Sequence, residues 1–136
     1  MFIFTFDEAG GFYDHVPPFP EPNPDGIPPS DLMSTDICTA GKTNNVNCDF
    51  NISGYRLPMF IVSPFAKAHY VSHTNMDYTA ILKFIETRFS LKPLTARDAA
   101  QPDMTEFFDF VNPPWATPPT PPAQNTKGAC YFNQFP

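Results

Sequence analysis

Two short apolar runs are the clearest features of the hydrophobic pattern. The first, Phe2–Phe6, is apolar at four of its five positions, as is typical of a parallel strand buried on both faces. The second, Met59–Val62, lies between Pro58 and Pro64, which limit its length. Both runs predict strands, and we expect an α/β fold with two or three parallel strands.

One segment has helical periodicity. The apolar positions that recur at helical spacing lie on one face of a helix from about Tyr78 to Phe89: Tyr78, Ile81, Leu82, Ile85 and Phe89. Asp77 is a suitable N-cap for this helix. Thr95 and Asp98 indicate the start of a further short helix, and residues 102–108 predict another.

Irregular chain fills much of the remainder. The 18 prolines among 136 residues far exceed the usual ~5%. Residues 16–54 form a long loop rich in Pro and Asn, and such a loop usually indicates function or an insertion. We therefore expect one domain over residues 1–112 that contains this loop, followed by a proline-rich, polyproline-like tail over residues 113–136.

Charge and hydropathy exclude some partners. The net charge of −6 argues against nucleic acid, which is bound by clustered Lys and Arg. The sequence contains no apolar run of the length that a membrane-spanning helix requires, so no membrane span is predicted. No signal peptide is expected either, because Phe2–Phe6 is too short and lacks a basic flank.

The cysteines and a glycosylation motif suggest a compartment. Cys38 and Cys48 bracket a polar loop of the kind that a disulfide closes, and Cys130 is left over. Three free thiols are the alternative. The segment Asn51–Ser53 is an N-glycosylation sequon directly after that loop. Together these features favour a secreted, extracellular glycoprotein.

Adjacent carboxylates follow the first predicted strand. Asp7 and Glu8 come directly after it, and the pair Gly10–Gly11 follows. Two neighbouring carboxylates repel each other unless a cation or a shared proton lies between them. Ligands with oxygen donors alone favour Mg²⁺, Ca²⁺ or Mn²⁺ over Zn²⁺. We expect Asp7 and Glu8 to be metal ligands, with a merely solvated strand end as the alternative.

Several motifs in this order resemble the C-terminal part of the phosphoesterase family, which holds phosphatidylcholine-type phospholipases C and related acid phosphatases. The motifs are Phe6–Pro18, Arg56–Pro58 leading into Val62–Lys67, Tyr70–Thr74, Asp77–Glu86, Leu94–Ala100 and Phe107–Phe110. The resemblance covers about residues 2–110. The proline-rich tail is similar to that of fungal members.

The resemblance implies an alkaline-phosphatase-like α/β sandwich that cleaves phosphoric esters with a bound divalent metal and a Ser or Thr nucleophile. It places the metal ligands of this part on Asp7 and Glu8, and the nucleophile in an N-terminal half. The substrate would be a phospholipid or a small phosphomonoester. We expect the 136-residue chain to be inactive by itself. The alternative is a catalytically silent fragment that binds only a cation or a partner. Unpaired strand edges also predict self-association.

Two histidines are candidate catalytic residues. His15 follows the Gly10–Gly11 turn, from which it either returns toward the metal or serves as a structural histidine bonded to Asp14 or a backbone carbonyl. His73 follows the second predicted strand, at the sheet edge where we expect Asp7 and Glu8. A histidine there is suited to ligate the metal, bind the phosphoryl oxygens or protonate the leaving group.

Overall fold

The computed structural model describes residues 1–27, 29–30 and 49–123. In chain order its elements are β1 (Phe2–Thr5), β2 (Met59–Val62), α1 (Thr79–Phe89), α2 (Ala96–Ala100) and a 3₁₀ turn (Thr105–Phe107). This part of the chain is therefore a small mixed α/β structure. The second strand has the predicted bounds, and the first ends one residue earlier than expected.

The two strands pair antiparallel, so the expectation of parallel strands was wrong. Phe2 is the register partner of Val62, and Thr5 is the partner of Met59. The Thr5 hydroxyl extends this pairing by donating to the Pro58 carbonyl at 3.0 Å. A continuously apolar run indicates that both faces of a strand are apolar, but it carries no information on the direction of the neighbouring strand.

The two faces of this sheet differ in burial. Ile3 and Ile61 lie opposite each other on one face and are half-buried. The other face carries four apolar side chains that are 45 to 63% exposed: Phe2, Phe4, Phe60 and Val62. The described residues therefore cover only one face of a sheet that is apolar on both.

The helix α1 begins one residue after the predicted start. Tyr78 occupies the backbone cap position, while the side chain of Asp77 accepts a hydrogen bond from the Thr79 amide at 2.7 Å. The helix ends where Ser90 adopts a left-handed conformation with φ 54°. The Leu91 amide then donates to the Glu86 carbonyl at 2.9 Å, and the Ser90 amide donates to the same oxygen, which closes the last turn.

A capping box starts α2, at the two residues where the sequence predicted a further short helix. The Thr95 side chain accepts from the Asp98 amide, and the Asp98 carboxylate accepts from the Thr95 amide at 2.7 Å. Asp98 is only 1% exposed, and Glu86 of α1 is only 6% exposed. Two carboxyl groups are therefore buried at the contact between the helices.

The core lies where α1 meets the 3₁₀ turn and the residues after it. Met104 and Phe108 are almost completely buried. The Phe108 ring stacks between Phe84 and Phe110, with both centroid distances at 5.3 Å. The segment predicted as a short helix thus supplies much of the packing for α1.

The described ends of the predicted loop are tied together. The Ser53 amide donates to the Phe19 carbonyl at 2.9 Å, and the Glu21 amide donates to the Asn51 carbonyl at 2.8 Å. The predicted disulfide and the third cysteine cannot be placed, because Cys38, Cys48 and Cys130 lie outside the described residues. Among the helices of the described part, none has the length and hydropathy needed to cross a membrane.

A polar chain fastens this loop base to the helices. The Gln101 side chain donates to the Glu21 carboxylate at 2.9 Å and accepts from the Asp77 amide at 3.0 Å. The Asp77 carboxylate also pairs with Arg97 at 2.5 Å. The Arg97 guanidinium in turn donates to the Phe50 carbonyl. The start of α1 is thereby held from the side of α2 and from the loop.

Candidate functional site

Asp7 and Glu8 extend from the end of β1 into solvent. Both residues are exposed, and neither takes part in an ion pair with another described residue. The Glu8 amide donates to the Asp7 carboxylate at 3.0 Å, which shapes the start of the loop. Two exposed carboxylates without a cationic partner have the donor chemistry that a hard divalent cation requires.

The glycines after this pair make a tight turn. Gly10 and Gly11 have φ values of 60° and 78°, in the left-handed region that side chains disfavour. The Phe12 amide closes the turn by donating to the Ala9 carbonyl at 3.0 Å. The two glycines thus let the backbone turn directly after the carboxylates.

Tyr78 is a neighbour of the carboxylates that sequence reasoning missed. Its hydroxyl donates to the carbonyl of Phe6, the residue directly before Asp7. Burial and the negative charge of Asp7 raise the pKa of the Tyr78 hydroxyl. In the sequence, Tyr78 was assigned only to the apolar helix face, and nothing in the local pattern reveals a contact with a residue 72 positions away.

The Asp14 carboxylate is bound on both oxygens. Arg56 donates to it from Nε and Nη2, each at 2.8 Å, in the bidentate arrangement that suits a guanidinium. The amides of Val16 and Arg56 add two further bonds, at 3.1 and 3.2 Å. These bonds, led by the one from the Arg56 side chain, hold the pKa of Asp14 well below its ordinary value. Asp14 is therefore ionised at neutral pH and already satisfied by protein donors.

His15 lies beside this pair. Its Nδ1 is 3.6 Å from the Asp14 carboxylate, and its side chain is 84% exposed. At this distance the two side chains are close but form no hydrogen bond, so the choice between the two roles that the sequence left open stays a prediction. His15 does not turn back to complete a cluster with Asp7 and Glu8.

His73 lies in an anchored segment. The hydroxyls on either side of it, from Ser72 and Thr74, donate to the Glu106 carboxylate at 2.5 and 2.9 Å. His73 itself is exposed. Its backbone is thus held by the 3₁₀ turn while its imidazole faces solvent.

The described residues do not form a complete metal site. No group of three His, Cys, Asp or Glu side chains within residues 1–27, 29–30 and 49–123 is arranged to hold a metal ion. Asp7 and Glu8 therefore supply at most two ligands, and neither His15 nor His73 provides the third.

A hollow of about 440 Å³ adjoins the loop that carries the carboxylates. Its lining includes Phe12, Tyr13, Tyr55 and the Asp14–Arg56 pair. The rings of Tyr13 and Tyr55 lie 6.3 Å apart. The loop of the carboxylates thus borders a hollow whose walls include three aromatic side chains and the Asp14–Arg56 ion pair.

Comparison with known proteins gave one family and several relatives. The model of the Phosphoesterase family matches residues 1–92. Phospholipase C B of Mycobacterium tuberculosis is 37% identical over 116 residues, which are 82% of this chain and 22% of that protein. The haemolytic phospholipase C of Pseudomonas aeruginosa is 36% identical over 114 residues, covering 81% of this chain and 15% of that protein.

A plant protein shows the same similarity. The non-specific phospholipase C4 of Arabidopsis thaliana is 36% identical over 112 residues, covering 73% of this chain and 18% of that protein. The chain spans only about a fifth of the length of the curated relatives that it matches, between 15 and 22% for these three. The family match includes Asp7, Glu8, His15 and His73.

Proposed function

The chain belongs to the phosphoesterase family, and on that basis we propose that it forms part of a metal-dependent hydrolase of phosphoric ester bonds. The observation that carries this proposal is the position of Asp7 and Glu8. They are exposed, have no cationic partner among the described residues and stand at the end of a strand within the matched residues. Because the relatives are named phospholipases C, a phospholipid is the preferred substrate class, with a small phosphomonoester as the second.

The chemistry assigns distinct tasks to the side chains. Asp7 and Glu8 would hold one face of a divalent cation, with Mg²⁺, Ca²⁺ or Mn²⁺ preferred over Zn²⁺. When bound, that cation would offset the negative charge of the phosphoryl group. His73 is proposed as the proton donor to the leaving group, and the aromatic hollow beside Tyr13 as the place of that group. The remaining ligands and the Ser or Thr nucleophile would come from another part of an alkaline-phosphatase-like sandwich.

A second candidate is a catalytically silent chain that binds only a cation or a partner. It is favoured by the incomplete ligand set among the described residues. The first candidate requires a cation at Asp7 and Glu8, and the second requires one only if its ligand is a cation, so cation binding tests the first candidate and the cation-binding form of the second. Turnover in a longer enzyme then separates them.

Manganese binding by the 136-residue chain is the direct test. Electron paramagnetic resonance follows free Mn²⁺, because the signal decreases as the ion binds. We expect one weak site per chain that is lost in the double variant Asp7→Asn, Glu8→Gln. The control, Asp25→Asn, removes an exposed carboxylate elsewhere and should retain the site. Equal Mn²⁺ binding by the double variant would refute the ligand assignment.

Secretion is proposed on the evidence of the sequence alone. The sequon Asn51–Ser53 lies at the base of the loop, where the Ser53 hydroxyl accepts from the Phe19 amide at 3.0 Å. A Cys38–Cys48 bridge would close the loop in an oxidising compartment. Peptide mapping of the secreted protein under non-reducing conditions would detect both the bridge and a glycan on Asn51.

The exposed sheet face predicts that the chain associates. A contiguous apolar surface with open strand edges favours contact with another sheet. We expect sedimentation to give masses above that of the monomer, and Phe60→Lys to shift the population toward monomer. The control, Phe89→Lys, places the same charge on an apolar side chain that is similarly exposed, outside the sheet. A monomeric wild-type chain, or equal effects of both variants, would contradict association through this face.

A further inference from the structure

The loop that carries the proposed metal ligands is fastened at both ends to one short segment. At its start, Thr5 pairs with Met59 and its hydroxyl donates to the Pro58 carbonyl. At its end, Asp14 binds the side chain and the amide of Arg56. Residues 6–14 therefore form a closed loop whose base is residues 56–59.

The interior of this loop has little support of its own. Gly10 and Gly11 hold conformations that glycine adopts at low cost, and glycine also has the largest backbone freedom to lose. Phe12 and Tyr13, at 80 and 84% exposed, contribute little packing. The described contacts that fix Asp7 and Glu8 are thus mainly those at the two ends, together with the bond from Tyr78 to Phe6.

Asp14 is placed to fix the loop and not to ligate the cation. Its side chain is only 13% exposed, and it accepts four hydrogen bonds from protein donors. A carboxylate that is bidentate to Arg and bonded to two amides would have to lose those bonds to reach a metal ion. The bidentate geometry makes this pair better defined than an ordinary surface ion pair.

We propose that Asp14 and Arg56 are positioning residues that hold the loop so that Asp7 and Glu8 can share one cation. This inference rests on the proposed function, because it assigns these two residues to the same cation site. It goes beyond that proposal by identifying the ion pair that sets the geometry of the ligands. Loss of the pair should release the loop end and separate the two carboxylates.

The central variant is Arg56→Gln in the full chain, measured in two ways. Hydrogen–deuterium exchange of peptides that cover residues 6–14 should accelerate. The affinity for Mn²⁺ should fall by about 10-fold or more, as is typical when an outer-sphere partner of a metal ligand is removed. Circular dichroism should show that helix content is retained, because the hydrogen bonds of Arg56 within the described residues go to Asp14 and not to α1 or α2.

The direction of the affinity change separates positioning from charge. Removing a cationic group near a metal site should by Coulomb's law strengthen cation binding, whereas loss of positioning weakens it. Arg88→Gln is the matched control: it removes the same charge from α1, where Arg88 lies over the Phe89 ring. This control should leave both exchange and affinity unchanged. In Arg56→Lys, the hydrogen exchange of residues 6–14 and the affinity for Mn²⁺ should lie between those of the wild type and Arg56→Gln, because Lys keeps the charge but lacks the bidentate geometry.

Each outcome decides the proposal. The proposal is overturned if Arg56→Gln leaves the hydrogen exchange of residues 6–14 unchanged. It is also overturned if this variant binds Mn²⁺ as tightly as the wild type or more tightly, even where the exchange is faster. If the wild-type chain binds no Mn²⁺, the proposed cation site fails and the inference that rests on it fails too. If the wild type binds and Arg56→Gln binds equally well, only the positioning role fails.

Discussion

Replacing Asp7 by Asn in a longer enzyme that contains this chain is expected to reduce hydrolysis of a phosphate ester by on the order of 10³-fold. The substitution keeps the shape of the side chain but removes the charge that holds a cation against the phosphoryl group. Glu8→Gln should behave in the same way. His73→Ala should cost less, about 10²-fold, as expected for loss of a proton donor. The measurement is kcat/KM on a chromogenic phosphate ester at saturating metal.

Two controls define what this result means. Asp25→Asn removes an exposed carboxylate outside the site and should leave kcat/KM unchanged. The 136-residue chain alone should show no turnover, because nucleophile and metal must act together. Unchanged activity in Asp7→Asn would exclude the metal assignment. Metal-dependent turnover by the chain alone would show that it already carries a nucleophile.

Local elements were the most predictable part of the fold. The strand β2 has the bounds given by the prolines around it, and a short helix begins at Thr95 and Asp98 as predicted. The start of α1 was predicted to within one residue because the periodic apolar positions define its extent. Each of these signals lies within a few residues of the element that it specifies.

Strand direction and long-range contacts were not predictable in this way. The antiparallel pairing of β1 with β2 joins residues that are far apart in sequence. The Asp14–Arg56 pair spans 42 positions, and no local spacing relates its members. Both residues belong to motifs that the sequence analysis identified, but the motifs did not reveal that the two side chains bind each other.

The candidate site was predicted in part. The position of Asp7 and Glu8 just beyond β1 follows from where the apolar run ends, and their exposure agrees with a role in binding. The histidines are a different case. The edge at which His73 was expected depended on parallel strands, and the observed sheet is antiparallel. Its catalytic role stays a prediction, because no group of three His, Cys, Asp or Glu side chains among the described residues joins His73 to Asp7 and Glu8.

The buried carboxyl pair Glu86–Asp98 should dominate the stability of the helical part. Burial acts to raise the pKa of Asp98, but hydrogen bonds from the Thr95 hydroxyl, from backbone amides and from Glu86 lower it to about 2. Burial, and then the neighbouring Asp98, raise the pKa of Glu86. The oxygens of Glu86 have no hydrogen-bond donor among the described residues. We infer that Glu86 is protonated and donates to ionised Asp98.

Replacing Asp98 by Ala should therefore destabilise α1 and α2 by about 2–3 kcal/mol, since it removes a helix cap and takes the acceptor away from the part-buried amides of Leu94 and Thr95. Hydrogen exchange of the amides in α1 and α2 measures this loss of local stability. A change no larger than that of an exposed substitution such as Asp25→Asn would contradict the role of the buried pair.

The same pair predicts how stability depends on pH. Because the pKa of Asp98 is lowered from 3.8 to about 2, its contribution is present above pH 3.8 and is lost as pH falls through about 2. Because the pKa of Glu86 is raised, its contribution is present below its unfolded value of 4.5 and is lost as pH rises through the raised value. The nearby Leu94 amide, and then Lys83, oppose the rise in the pKa of Glu86 but do not cancel it. Glu86→Gln keeps a neutral donor to Asp98 at every pH. As pH rises above 4.5, the amides of α1 and α2 in this variant should therefore lose less protection against hydrogen exchange than those of the wild type. Glu8→Gln, an exposed control, should follow the wild type, and equal pH profiles for Glu86→Gln and the wild type would rule out the shared proton.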